Sequence, residues 1–369
     1  MHLDKLILTN FKNYEHQTIQ CSPRINCLVG FNGMGKTNLL DAIYYSCMGK
    51  SYFGVPDRGI VKKEMDFFRL EAHYQLDSGP VKIVVKVLPR KKKVIERNDV
   101  PYQKLSEHVG LIPVVIVAPD DTNLIHEGSE IRRKFLDNTL SQLDQQYLQA
   151  LINYNKVLQQ RNAALKQFAE LQQFNPALIQ AYNQQLSPPA QFVYEKRKTF
   201  LEKFCPILRE MHKFISGKNE SVDLNYRSDL EQTSLIDLLE QFAEKDRILT
   251  RTTKGIHKDE LVFTIDGYPM KRFGSQGQLK TFILALKLAQ YELLKLEKQV
   301  KPLLLLDDIF DKLDRNRVQH LLQLLTGGDF GQIFITDTHD SRVEEIILEF
   351  DTNYIKFTIS NGNIAYEKD

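Results

Sequence analysis

Eight consecutive residues, Gly30-Phe31-Asn32-Gly33-Met34-Gly35-Lys36-Thr37, satisfy the spacing G-x-x-x-x-G-K-[ST] of a phosphate loop. Glycines at these positions let the main chain wrap an anion and turn N–H groups inward. A helix that follows directs its positive end at the same anion. Lys36 reaches the β- and γ-phosphates of a bound nucleotide, and the Thr37 hydroxyl ligates Mg²⁺. A second group is Leu303-Leu304-Leu305-Leu306-Asp307-Asp308, an apolar strand ending in two carboxylates. This is a Walker B arrangement. Asp307 would hold Mg²⁺, through water, and Asp308 would orient or deprotonate an attacking water. With Lys36 and Asp308 as catalytic candidates and Thr37 and Asp307 as metal candidates, the chemistry is hydrolysis of a nucleoside triphosphate.

A third group, Ser275-Gln276-Gly277-Gln278, precedes an amphipathic pattern through Ala285, Leu288 and Ala289. A hydroxyl and glycine N–H groups at a helix N-terminus make another anion site. The run resembles the S-x-G-Q signature of ABC-type ATPases. In that family the signature of one subunit closes on nucleotide held by the other, so Ser275, Gly277 and Gln278 join the nucleotide-binding candidates. Asp311-Lys312-Leu313-Asp314 resembles the family's D-loop. Ile333 to His339 resembles its switch strand and loop, with either His339 or Thr336 sensing the γ-phosphate.

Lys36 and Ser275 stand 239 positions apart. That gap is wider than in transporter domains and far narrower than in SMC proteins, and resembles the RecF family of bacterial recombination mediators. Further segments agree: Asn10-Phe11-Lys12-Asn13-Tyr14, Asn38 to Tyr44, Ala118-Pro119-Asp120-Asp121, Arg132 to Asp137, and Gly255-Ile256-His257-Lys258-Asp259-Glu260. Departures from the family pattern are Ile256 for Pro, Lys258 for Arg, Glu260 for Asp, and Leu279-Lys280 for a Gln-Arg pair. Asp308 stands where most ABC ATPases carry Glu, a shorter acid shared with RecF-like proteins and consistent with slow hydrolysis. The resemblance implies ATP and Mg²⁺ as cofactors and an ATP-dependent homodimer. It also implies binding of gapped or junction DNA without sequence preference, partnership with RecR and RecO, and indirect service to RecA.

The elements that must position these residues read as an α/β fold: an ABC-type head with an inserted helical lobe. The N-terminal part, residues 1–124, runs strand, loop, strand, phosphate loop, helix. Leu39, Leu40, Ile43 and Tyr44 mark that helix's apolar side. From Phe67 to Val117 the alternation of Leu70, Ala72, Tyr74 and of Val81, Ile83, Val85, Val87 predicts an antiparallel sheet. Residues 125–250, free of glycine from 129 to 216, predict a helical lobe broken near Pro176 and at Pro188-Pro189. Residues 251–369 return to strand and helix alternation with fully apolar strands, the mark of a buried parallel sheet.

The 369 residues carry 49 Lys and Arg against 47 Asp and Glu, so a basic surface must be local. Arg90-Lys91-Lys92-Lys93 after Pro89, Lys196-Arg197-Lys198 and Lys271-Arg272 are the clusters that could neutralise DNA phosphates. With no Trp and no basic run interleaved with aromatics, duplex or junction shape is a better target than single-strand stacking. Four cysteines without a C-x-x-C pair predict reduced buried thiols, and the absence of a long apolar run predicts a soluble, cytosolic protein with no membrane contact. A transporter ATPase subunit or another chromosome-associated machine fits the long helical insertion less well. A small-molecule kinase leaves Ser275 to Gln278 unexplained.

Overall fold

The structure is a computed structural model describing residues 1–217, 220–310, 315–326, 329–338 and 354–367. The chain forms two compact units. One comprises residues 1–122, 211–218 and 276–369, the other residues 123–210 and 219–275. The second unit thus begins close to the expected lobe but runs to residue 275. The expected return to the head at residue 251 falls at 276 instead, because Glu260–Ile265 pairs antiparallel with Val222–Arg227 and with Tyr268–Pro269.

The first unit holds two six-stranded sheets. One is antiparallel, in the order Tyr14–Gln20, His2–Phe11, Phe68–Leu76, Gly79–Val87, Val94–Arg97, Val100–Pro101. Its strands bury alternate residues, as their period-2 apolar pattern requires. Val114–Val117 is not part of it. That strand is buried on both faces and pairs parallel with Leu303–Leu306, so a continuous apolar run was the better guide there than its place after the hairpins. The second sheet runs Asn363–Glu367, Tyr354–Ser360, Ile25–Val29, Ile333–Asp337, Leu303–Leu306, Val114–Val117. All its pairings are parallel except the outer hairpin. Its order sets the C-terminal ends of Ile25–Val29, Ile333–Asp337 and Leu303–Leu306 side by side, which is where ligands bind in open parallel sheets.

The helix Lys36–Met48 packs against strands of both sheets. Eleven of its thirteen residues are buried, so it is enclosed nearly all round rather than on one side, with Lys36, Asp41 and Ser46 among the buried residues. Cys27 and Cys47 are buried free thiols, and burial pushes both up to about 12.

The second unit contains the helices Ser129–Leu143 and Gln145–Leu171 and most of Pro176–Ser216. The break before Pro176 is present, with proline at the first helical position, where its missing N–H costs nothing. The expected break at Pro188-Pro189 is not. The 41-residue helix continues through both prolines, held by burial of Leu186, Ala190 and Val193 on either side. Among the described residues, no helix is long and apolar enough to cross a membrane.

Candidate nucleotide site

The phosphate loop follows strand Ile25–Val29 and ends where Lys36 opens the helix. Two glycines are required by their surroundings. Gly30 has φ 151°, and a Cβ there would lie 2.3 Å from the Ile359 carbonyl oxygen. Gly35 has φ 122°, and its Cβ would lie 2.5 Å from Asn13 Nδ2 and 2.9 Å from the Tyr14 hydroxyl. That crowding gives the Asn10 to Tyr14 segment a role that its sequence did not disclose. Asn13 Nδ2 donates to the Met34 carbonyl at 3.0 Å, and the Tyr14 hydroxyl donates to the Gly35 carbonyl at 2.9 Å. Asn38 Nδ2 donates to Asn13 Oδ1 at 2.8 Å. The loop is therefore braced from outside along its last turn. Phe31, Asn32 and Gly33 remain exposed, Phe31 by 80%.

Lys36 is only 4% exposed and folds back over the loop. Its ammonium donates to the Gly30 carbonyl at 2.8 Å and to the Phe31 carbonyl at 3.3 Å. Thr37 Oγ1 donates to Asp307, 3.0 Å from Oδ1 and 2.9 Å from Oδ2, joining motifs 270 residues apart. Asp307 is 2% exposed, and burial pushes its carboxyl up to about 6. Asp308 adds to that shift, while the Thr37 and Thr336 hydroxyls and Lys36 oppose it. A hydroxyl and an undercompensated carboxylate side by side fit a small hard cation. Among the described residues no cluster of three or more His, Cys, Asp or Glu is built to hold a metal. Mg²⁺ is commonly held by one or two protein groups together with substrate phosphates.

Asp308 has a left-handed backbone, φ 45°. Its N–H donates to Thr336 Oγ1 at 2.8 Å, and Thr336 Oγ1 lies 2.9 Å from Asp307 Oδ1 and 3.2 Å from Asp308 Oδ1. Of the two candidates in the switch segment, Thr336 lies in the site. His339 and the Asp311 to Asp314 segment lie outside the described residues.

Ser275 and Gln276 are exposed where the helix Gln276–Lys298 begins, and Gly277 and Gln278 are half-buried. A Cβ on Gly277 would meet Arg317 Nη1 at 2.8 Å. Lys280, Ile283 and Leu284 of this helix share a largely apolar cavity with Asp307 and Asp308. Further along, Lys287 is buried and bonds Asp121 at 2.8 Å and the Tyr52 hydroxyl at 2.6 Å, and Tyr52 in turn bonds Asp121. This pins the helix to the Pro119–Thr122 turn. Sequence reading missed Lys287, although a lysine within an otherwise apolar helix face was a signal.

The basic clusters fare differently. Arg90, Lys91 and Lys92 are exposed, but Lys93 is consumed by Asp57 and by the Gly49 carbonyl. Lys196-Arg197-Lys198 is not a basic surface. Arg197 is buried, bonding Asp137 and Asp259 at 2.8 Å each and the Ile256 carbonyl at 2.9 Å. Lys196 pairs with Asp144 at 2.7 Å, leaving only Lys198 exposed. Arg197 instead ties the Arg132–Asp137 segment to the Gly255–Glu260 segment. Arg132 adds a link to Glu260 at 2.8 Å, the very acid that departs from the family pattern. Lys271 and Arg272 are exposed.

A family model described as the RecF/RecN/SMC N terminal domain matches residues 2–354. The DNA replication and repair protein RecF of Flavobacterium johnsoniae is 48% identical, the alignment covering 97% of this chain and 100% of that protein. Its counterpart in Parabacteroides distasonis is 46% identical, with 99% of each chain covered. A solved structure described as the recombination mediator protein RecF-ATP in the RecFOR pathway matches with a TM-score of 0.90 at 30% identity. The match covers 99% of this chain and 97% of that one. A Smc head bound to the C-winged helix domain of ScpA matches with a TM-score of 0.59 at 16% identity, a likeness of fold alone. With this agreement along its whole length, the chain belongs to the RecF family of ABC-type ATPases involved in DNA replication and repair.

Proposed function

We propose that the chain is an ATP-dependent DNA-binding protein of replication and recombinational repair, in which slow ATP hydrolysis releases a DNA-bound dimer. The observation that carries the nucleotide part is the Thr37–Asp307 contact, with Thr336 joining Asp307 to Asp308. ATP would lie on Gly30, Phe31, Asn32, Gly33, Met34, Gly35, Lys36 and Thr37. Lys36 exchanges its two carbonyl partners for phosphate oxygens, and the braced loop presents its N–H groups without further ordering. Thr37 and Asp307 would hold Mg²⁺, which would supply charge neutralisation on the phosphates. Asp308 accepts the proton of the attacking water. Ser275, Gly277 and Gln278 of a second copy complete the site, and His339 remains the second candidate for sensing the γ-phosphate. In this reading residues 1–122 and 276–369 supply the head's Walker and switch motifs, and residues 123–210 and 219–275 the lobe.

ATP-driven pairing of two copies would create the DNA surface, with Arg90, Lys91, Lys92, Lys271 and Arg272 as the remaining basic candidates. The chain would act in the cytoplasm with RecR and RecO and assist RecA loading. The likeness to a structure described as RecF-ATP in the RecFOR pathway supports this assignment. The test is ATP hydrolysis against protein concentration, with and without gapped duplex DNA, using Lys36→Met as the blank. Specific activity that rises with concentration and with DNA, against a silent blank, supports a composite, DNA-responsive site. Activity independent of both means a site complete in one subunit, and the DNA-switch reading is then abandoned.

A further inference from the structure

Thr336 is fully buried beside the phosphate-loop strand, opposite Leu28, on the strand that also pairs with Leu303–Leu306. Its hydroxyl therefore stands between the two halves of the site. We propose that Thr336 is a positioning residue that holds Asp308 in its left-handed conformation and shares one hydroxyl proton between Asp307 and Asp308. This rests on the hydrolysis reading given above.

A threonine hydroxyl has one proton to give and two lone pairs. Thr336 Oγ1 accepts from the Asp308 N–H at 2.8 Å, so its own proton is free for a carboxylate. Two carboxylate oxygens compete for it, Asp307 Oδ1 at 2.9 Å and Asp308 Oδ1 at 3.2 Å. The shorter distance gives it to Asp307, which already receives the Thr37 proton. A non-glycine residue at positive φ is strained by roughly 1 kcal/mol or more and persists where its surroundings fix it. At Asp308 the fixing contact is the bond from its own amide to Thr336.

The arrangement has a consequence for Asp308. A divalent cation held at Thr37 and Asp307 would compete for the Asp307 oxygen that Thr336 now serves. The Thr336 proton would then have Asp308 Oδ1 as its acceptor, and the donated hydrogen bond would orient that carboxylate. Thr336 would thereby couple the state of one aspartate to the orientation of the next through a single hydroxyl. No bond to carbon or phosphorus is made by Thr336, and its proton remains on oxygen throughout.

The test compares Thr336→Val, which keeps the shape and removes the hydroxyl, with Thr336→Ser, which keeps the hydroxyl. Thr336→Ala serves in place of valine should that variant fail to fold. Three measurements are made: hydrogen exchange across residues 304–310 without nucleotide, affinity for a fluorescent ATP analogue, and steady-state hydrolysis. The expected result is faster exchange at Asp308 in the valine variant and a kcat lowered about tenfold or more at saturating ATP, the affinity measurement setting the ATP concentration that saturates each variant. The serine variant should return both exchange and kcat towards the parent. Unchanged exchange and unchanged kcat in Thr336→Val overturn the proposal. So does a serine variant as impaired as valine, since the methyl group would then be what matters. Should the unsubstituted protein bind no ATP analogue and hydrolyse none, the hydrolysis reading fails. The exchange comparison still decides whether Thr336 holds Asp308.

Discussion

Asp307 is almost fully buried and its carboxyl is pushed up to about 6, from an ordinary value of 3.8. The folded protein therefore keeps a proton at pH 5 that the unfolded chain has released. The stability this residue lends is complete below about pH 4 and is lost as the pH rises through 6. At pH 7, with no cation or nucleotide, the charged side chain is a net burden. Its size follows from the shift and is at most about 3 kcal/mol. Asp307→Asn should then be more stable than the parent at pH 7 and lose that advantage at pH 4, read by denaturant unfolding at both values. Mg²⁺ with ATP should stabilise the parent and have little effect on the variant. The parent's own pH slope does not isolate this effect. His108 and His257 are held neutral by burial, their values lowered to about 4, so they cost stability as the pH falls from about 6.5 to 4. The difference between variant and parent cancels them. If Asp307→Asn is less stable than the parent at pH 7, the hydroxyl bonds outweigh the buried charge and this account of the carboxylate is wrong.

A helix whose apolar face carries a lysine should be held by that lysine's partner. Lys287 on the Gln276–Lys298 helix is 3% exposed, paired with Asp121 and lying over the Tyr52 ring. Removing one member strands a buried charge, so Lys287→Met alone should destabilise by about 3–5 kcal/mol. The double change Lys287→Met with Asp121→Leu should recover part of that loss, and thermal unfolding of the four members of the cycle measures the coupling. Additive losses would mean that the pair is not a unit. At this scale the sequence was legible where a local pattern carries the signal. The alternation of Val81, Ile83 and Val85, the apolar run Leu303–Leu306 and the glycine spacing of the loop each reflect local geometry and needed no tertiary context. Pro188-Pro189 misled because packing of Leu186, Ala190 and Val193 outweighs the lost backbone bonds. Val114–Val117 misled because its parallel partner Leu303–Leu306 lies far along the chain. Arg197 misled because a charge run reads as surface until Asp137 and Asp259 are known to meet it. The brace made by Asn13 and Tyr14 was visible as a motif but not as a contact, since its partner atoms are main-chain carbonyls of the loop.

For the whole molecule, the proposed site is divided between two copies, and the exposed aromatic residues offer a way to see it close. Phe31, within the phosphate loop, is 80% exposed. Tyr268 and Phe273 are 60% and 59% exposed, with ring centroids 5.2 Å apart, just ahead of the signature Ser275. Large aromatic side chains left in water next to motifs of this kind mark surfaces that another surface covers. Lys271 and Arg272 between them are exposed as well. The sequence contains no tryptophan, so Phe31→Trp introduces a single tryptophan, excited apart from the 15 tyrosines, at the point where the two copies would meet. In a composite site its emission should move to shorter wavelength when ATP and Mg²⁺ are added. The midpoint of that change should depend on protein concentration, and the shift should vanish when Ser275→Arg blocks the signature. A shift of equal size at every protein concentration would mean that the nucleotide covers Phe31 within its own subunit. The signature would then have no place over the site, and a single-subunit phosphate-loop enzyme would be the better description.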